Sequence, residues 1–172
     1  GIKLGFYYSH WTDWDHPYSW DNSKEINWLD KKKFDIYWQE KVIPQMKELL
    51  SNYGEISLIW FDMWLNHSET IVTKEQLFQL KNLIRQMQPN CLINSRLGLS
   101  IEEDKDVDFR TLGDNQLGEF KYEYPWQTPA TVAHSWGYNV NENEWKSTTS
   151  ILRSLIGNVS LNGNLMLNIG PT

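Results

Sequence analysis

The sequence predicts an α/β fold in which parallel strands are covered by helices, and three observations predict it. Helical and strand periodicities alternate along the chain in the order β-α-β-α-β-loop-α-β. Each strand segment is a continuous apolar run rather than an apolar/polar alternation, the pattern of strands buried on both faces. The polar and aromatic residues of these segments gather at their C-terminal ends, where parallel α/β folds assemble their sites.

The first strand segment is 2–9, IKLGFYYS. A helical pattern follows over 33–53, with Phe34, Tyr37, Trp38, Val42, Met46, Leu49 and Leu50 on one face and Gly54 as its stop. Pro44 lies inside this pattern; it lacks an N–H and is expected to kink or split the helix. The second strand is 56–62, ISLIWFD. The next helix opens at Thr73 with Gln76 three residues on, a capping box, and carries Leu77, Leu80, Leu83, Ile84 and Met87 inward before Pro89. A third strand is expected at 91–96, CLINSR, then a long polar and aromatic loop from about 97 to 146. The last helix spans about 147–160, with Ile151, Leu152, Leu155, Ile156 and Val159 expected inward. Asn162-Gly163 turns the chain into a final strand at 164–169, NLMLNI.

Composition excludes several function classes. The formal net charge is −6 with no basic run, which argues against nucleic acid as a partner. No stretch reaches the roughly 18 apolar residues of a membrane span. The single cysteine, Cys91, permits no internal disulfide. His10, His16, His67 and His134 lack metal-ligand spacing, so no metal site is expected. The first strand ends in Ser9-His10-Trp11 rather than a Gly-rich phosphate loop, and no G-x-S-x-G elbow is present, so no cofactor is expected. Ten tryptophans and eight tyrosines fit either core packing or stacking against flat sugar faces.

The sharpest candidate for chemistry is Asp62, which ends an apolar strand and precedes Met63 and Trp64. A helix-capping role is excluded by distance, because the next helix opens only at Thr73. Tyr7, Trp60, Asn94, Arg96, Asn168 and Gly170 occupy comparable strand-end positions. For Arg96 two readings stand: pairing with a structural acid such as Asp108, or orienting the nucleophile or a sugar hydroxyl. The charge run Glu102-Glu103-Asp104-Lys105-Asp106 reads as a solvated loop. Of the two Asn-x-Ser sequences, at Asn66 and Asn158, the second falls in a helix and is discounted as a glycan acceptor.

The motifs GIKLGFYYSHWTDWDHP, LIWFDMW, INSRLG, DFRTLGDNQ, PWQTPATVAHSWGYN and VSLNGNLMLNIGP run the length of the chain. In this order they resemble the α-L-fucosidases of glycoside hydrolase family 29, retaining enzymes on a (β/α)-barrel. The resemblance implies the C-terminal half of a (β/α)8-type barrel, acting on a terminal α-linked L-fucose of an oligosaccharide or glycoconjugate. It implies Asp62 as the nucleophile, Tyr7, Trp60 and Arg96 around the sugar, and Trp136 as a wall against the fucose methyl group. It also suggests a secreted, periplasmic or lysosomal setting. The family's paired histidines belong to an earlier strand that these motifs do not include.

Retention requires a second carboxyl group as acid/base, about 5–5.5 Å from the nucleophile. Family members carry a Glu just after a DF-x-T motif or directly after the Trp of PW, but these positions hold Leu112-Gly113-Asp114 and Gln127. An amide cannot cycle a proton in this role. The remaining candidates are Asp114 and Glu119, with Glu123 behind them. Two alternatives follow: a fucose-binding relative without turnover, and an α-L-galactosidase-like specificity, since a pocket discriminates only modestly against an added hydroxyl. Four strand segments are legible where a barrel needs eight. The 172 residues are therefore expected to form part of one catalytic barrel domain, and alone to self-associate or to pair with the rest of that barrel.

Overall fold

A computed structural model describes residues 1–20, 30–102 and 107–170. Residues 21–29, and residues 103–106 of the charge run that begins at Glu102, lie outside the described residues. The chain divides into two compact units, Gly1–Asp108 and Phe109–Thr172.

In the first unit, β1 (Gly5–Tyr8), β2 (Leu58–Phe61) and β3 (Leu92–Ile93) form a parallel sheet in the order β1-β2-β3. The register sets Gly5 beside Leu58 and Tyr7 beside Trp60. One face carries Tyr8, Ile59, Phe61 and Ile93 into a cluster with Phe34, Trp38, Met46, Leu77, Leu80 and Ile84 of the helices. The opposite face carries Tyr7 and Trp60. Burial on both faces, expected from the apolar runs, does not hold for β1: Tyr7 is 62% exposed. An apolar or aromatic composition cannot separate a face that meets protein from a face that lines a site.

The helical segment expected at 33–53 is α1 (Lys31–Tyr37), a π-helical turn (Trp38–Val42) and α2 (Ile43–Asn52). Pro44 sits in the first turn of α2, where its missing N–H costs no helical bond. The Ile43 N–H reaches back to the Trp38 carbonyl, so the π-turn carries the chain past the proline without a break. The capping box of α3 (Lys74–Met87) forms as expected, with the Thr73 side chain accepting from the Gln76 N–H and the Gln76 side chain accepting from the Thr73 N–H. The strand expected at 91–96 is only two residues long. Beyond it the Asn94 carboxamide takes over the ladder, accepting from the Phe61 N–H at 2.8 Å and donating to the Phe61 carbonyl at 2.9 Å. The backbone is thereby freed to turn through Ser95–Leu97 and close at Gly98, φ 105°.

In the second unit, β4 (Arg110–Thr111), β5 (Trp126–Thr131) and β6 (Gly163–Asn168) form a parallel sheet in the order β4-β5-β6. Two of these strands lie in the region expected to be loop, so the described residues form six strands where four were expected. Two prolines concealed β5, because Pro ordinarily argues against a central strand. Pro129 is accommodated because the odd-numbered carbonyls of β5 face β4, as at Gln127, and β4 ends at Thr111. No ladder donor is therefore lost at position 129, and the Pro129 carbonyl accepts from Asn115 at 2.8 Å.

Helix α4 (Thr148–Ser160) is capped by Ser147 as its spacing suggests. Its apolar residues do not point inward: Leu152, Leu155, Ile156 and Val159 are exposed. The helix instead rests on its polar side through buried Asn158, which accepts from the Gly118 N–H and donates to the Asn164 carbonyl. That burial also removes Asn158 as a glycan acceptor.

Candidate active site

Asp62 stands one residue beyond β2, at the C-terminal end of the first sheet. Both carboxylate oxygens are engaged. The Tyr7 hydroxyl donates to Oδ2 at 2.7 Å, and the Arg96 guanidinium donates through Nη1 to Oδ1 at 2.8 Å. The sequence brings these groups together in three steps. Parallel register sets Tyr7 beside Trp60, two residues before the acid. The 3-10 turn after β3 swings Arg96 back, and the Met63 N–H fastens to the Arg96 carbonyl at 2.9 Å. The Trp11 indole N–H then donates to the Asp62 backbone carbonyl at 3.0 Å and fixes the acid's main chain.

Beneath the carboxylate, the Tyr7 and Trp60 rings stack with centroids 5.6 Å apart and planes 22° from parallel. The Arg96 guanidinium carbon lies 5.3 Å from the Trp60 ring centroid. The Asp62 side chain keeps 20% of its surface and Arg96 keeps 14%, so the pair is largely desolvated yet reachable. Charge-assisted bonds in such surroundings are stronger than neutral ones and hold a carboxylate at a fixed orientation. Of the two readings open for Arg96, the geometry selects contact with Asp62. Asp108 is held elsewhere, by Arg85 at 2.7 Å and by the Ile93 N–H at 2.6 Å.

Deeper in this unit, His10 is fully buried edge-on to Phe61 and Trp38. Neither ring nitrogen reaches a partner at hydrogen-bonding geometry among the described residues. Burial pushes its pKa down to about 3, against a weaker upward pull from the Leu97 backbone.

In the second unit, Asp114 and Glu119 are both exposed. Asp114 lies in a turn that follows β4, in which the Gln116 N–H donates to the Gly113 carbonyl at 3.0 Å. Asn115, at φ 56°, accepts through its side chain from the Thr131 N–H and from Lys146 Nζ, at the C-terminal end of β5. Glu119 follows Gly118, which packs so closely on Trp126 that a Cβ there would lie 2.1 Å from the ring. Trp126 opens β5, so Glu119 belongs to the N-terminal end of the sheet. Glu123 is exposed on the run that leads into β5. Gln127 lies within β5, paired with Thr111 and Asn164. Trp136 is half-exposed in the loop after β5, and its carbonyl accepts from Asn168 Nδ2 at 2.8 Å.

Thus the structure gathers Tyr7, Trp60, Asp62 and Arg96 into one constellation. Sequence reasoning did not single out Trp11 or Asn115, and it placed Asn94 at a strand end without its contacts to the Phe61 peptide; all three act on the backbone. Spacing carries no signal for such contacts. Among the described residues no cluster of His, Cys, Asp or Glu fit to hold a metal is present.

A strand-end carboxylate held by a phenol and a guanidinium over an aromatic stack has the composition of a site that handles a polyhydroxylated ligand. Comparison with known proteins names the family. The family model for α-L-fucosidase matches residues 1–172. Among curated relatives, the α-L-fucosidase of Dictyostelium discoideum is 27% identical over 99% of this chain and 36% of its own length. Human plasma α-L-fucosidase is 24% identical, with the same two coverages. Among solved structures, α-L-fucosidase isoenzyme 1 from Paenibacillus thiaminolyticus aligns at TM-score 0.84 with 32% identity, over 100% of this chain and 44% of that one. AlfC from Lactobacillus casei, in complex with its α-L-fucose product, aligns at TM-score 0.79 with 32% identity, over 99% of this chain and 54% of that one. The chain belongs to the α-L-fucosidase family, and it spans about a third of the length of the curated relatives it matches.

Proposed function

We propose that this chain is part of a retaining α-L-fucosidase, with Asp62 as the nucleophile that attacks the anomeric carbon of a terminal α-linked L-fucose. The observation that carries this reading is the double anchoring of Asp62. Tyr7 and Arg96 occupy one lone pair on each oxygen and leave others for attack. The exposed edge of Tyr7 over Trp60 supplies an apolar floor for a deoxy-sugar. Attack forms a glycosyl-enzyme ester as the glycosidic C–O bond breaks, and water then cleaves the ester from the opposite face, restoring the starting configuration. Trp136 is assigned to the wall of the same sugar.

The acid/base is Asp114 in this reading, and Glu119 is set aside. Catalytic groups of parallel α/β folds sit at the C-terminal ends of the strands, and Asp114 has that position in its sheet. Its turn is pinned to β5 on both sides, which holds the carboxyl in place for proton transfer. We also place the 172 residues within one (β/α)8-type catalytic domain, a reading supported by solved fucosidase relatives that align over the whole chain. The substrate is a fucosylated oligosaccharide or glycoconjugate, a class supported by the relative AlfC, whose complex with Fuc(α1,6)GlcNAc is known.

The test compares Asp114→Ala and Glu119→Ala in the full-length enzyme on fucosides with good and poor leaving groups, with the first-formed fucose anomer followed by NMR. Asp114→Ala should lose about 10²–10⁴-fold on the poor leaving group and far less on an activated aryl fucoside. Glu119→Ala should behave as the parent, and the first product should be the α-anomer. The reverse pattern between the two variants, or a β-anomer, contradicts the assignment. Fucose binding without turnover in the parent identifies a binding relative instead.

A further inference from the structure

We propose that a cleft in the second unit, between Tyr138 and Trp145, holds a pyranose ring of the glycan. The cleft has a volume of about 180 Å³ and opens beyond the C-terminal ends of β5 and β6, with Ser135, Asn139, Glu142 and Gly170 also lining it. Its two aromatic walls are far more accessible than packing residues: Tyr138 is 66% exposed and Trp145 49%. Neither the Tyr138 hydroxyl nor the Trp145 indole N–H makes a hydrogen bond among the described residues.

The chemistry of the lining selects the ligand. The cleft contains one carboxylate, Glu142, and it is committed to the backbone. Its Oε2 accepts from the N–H groups of His134 and Ser135, each at 3.0 Å, and Oε1 from Glu144 at 3.4 Å. Those bonds, from Ser135 first, hold Glu142 below the usual carboxylate range, so it is neither a proton donor nor a free anion for a cation. Among the described residues no lysine or arginine lines the cleft, so none there attracts an anion. What remains is two aromatic faces beside a hydroxyl and a carboxamide. A neutral ring with polarised C–H bonds on one face and hydroxyls at its rim matches that set.

The loop is built in advance of any ligand. Lys146 N–H donates to the Val132 carbonyl at 2.8 Å and closes its base, and Thr131 Oγ1 donates to the Ser135 carbonyl at 3.1 Å. Asn139 Nδ2 donates to Ser135 Oγ at 3.0 Å, which sets two cleft residues against each other. Preorganisation of this kind lowers the cost of ordering a weak, exposed site. Lys146 Nζ also reaches Asn115 Oδ1 at 2.5 Å, tying the loop to the turn that carries Asp114. The ring in the cleft is therefore one on the leaving-group side of the fucosidic bond. That last step rests on the assignment of Asp114, whereas binding in the cleft does not.

The test uses the full-length enzyme and two fucose-free disaccharides, N-acetyllactosamine and N,N′-diacetylchitobiose, titrated calorimetrically. The parent should bind at least one of them, and Trp145→Ala and Tyr138→Ala should each weaken it by about tenfold or more. Trp145→Phe, which keeps a flat face, should retain most of the affinity. KM for a fucosylated trisaccharide should rise in the alanine variants with little change in kcat. Equal binding by parent and Trp145→Ala, or no binding by the parent, overturns the proposal. Disaccharide binding that persists in an enzyme inactive on fucosides would sink the functional reading and leave the cleft standing.

Discussion

At the scale of single residues, the constellation around Asp62 divides its work between orientation and charge. Tyr7 and Arg96 each supply one donor to the carboxylate, and Trp60 supports both from beneath. A hydrogen bond to a charged group contributes about 1.5–3 kcal/mol, and each 1.36 kcal/mol is tenfold in rate. Tyr7→Phe should therefore lower kcat/KM for an aryl α-L-fucoside by about tenfold to a hundredfold with little change in stability, since Tyr7 is largely exposed. Steady-state kinetics beside a thermal melt checks both halves of that statement. His10 gives a second expectation at this scale. Its ordinary pKa is 6.5 and the fold holds it near 3. Between those values the unfolded chain binds a proton that the folded chain refuses. Stability from this group is thus complete above pH 6.5 and is lost as the pH falls toward 3. Melting temperatures taken from pH 7 to pH 4 should fall less steeply in His10→Phe than in the parent; parallel curves would show that His10 does not carry this dependence.

At the scale of elements, the site depends on how β3 ends. Two side-chain bonds from Asn94 replace a rung of the ladder and hold the Phe61 peptide next to Asp62. Asn94→Leu would leave a buried N–H and a buried carbonyl unsatisfied, at about 1–3 kcal/mol each, and should cut both stability and activity. Gly98 closes the turn at φ 105°, and a Cβ there would lie 2.1 Å from Met63 Cε and 3.0 Å from Leu77 Cδ1. Gly98→Ala should cost about 1–3 kcal/mol in unfolding, and displacement of Arg96 with the turn should appear as lost activity. The sequence allowed some of this to be read. Helix α3 was legible down to its capping box, because Thr73 and Gln76 are local signals. The carboxamide rung at Asn94 was not, because it replaces one backbone partner with a side chain from another strand. Strand β5 was hidden by Pro125 and Pro129, whose tolerance depends on where a neighbouring strand stops.

At the scale of the whole molecule, the family was legible from motifs spread along the chain, and so was the position of Asp62 just beyond a strand. The partner of Arg96 was not legible, because Asp62 and Asp108 are both distant from it in sequence, and only folding assigns Asp108 to Arg85 and Asp62 to Arg96. The inward side of α4 was also misjudged, since helical spacing identifies an apolar face without saying what covers it. Leu152, Leu155, Ile156 and Val159 leave that face apolar and exposed, and it should act as an association surface in the isolated 172 residues. Sedimentation of those residues alone should show concentration-dependent association that Leu155→Glu with Ile156→Lys diminishes; a monomer at all concentrations would contradict this. Hydrolysis of an aryl α-L-fucoside by the full-length enzyme is compared with that of Asp62→Gly, with and without sodium azide. The parent should turn over, and the variant should lose about 10³-fold or more. Azide should restore aryl release by entering the space of the missing carboxylate, giving β-L-fucosyl azide. Undiminished hydrolysis by Asp62→Gly would contradict the assignment of the nucleophile, and with it the proposed mechanism.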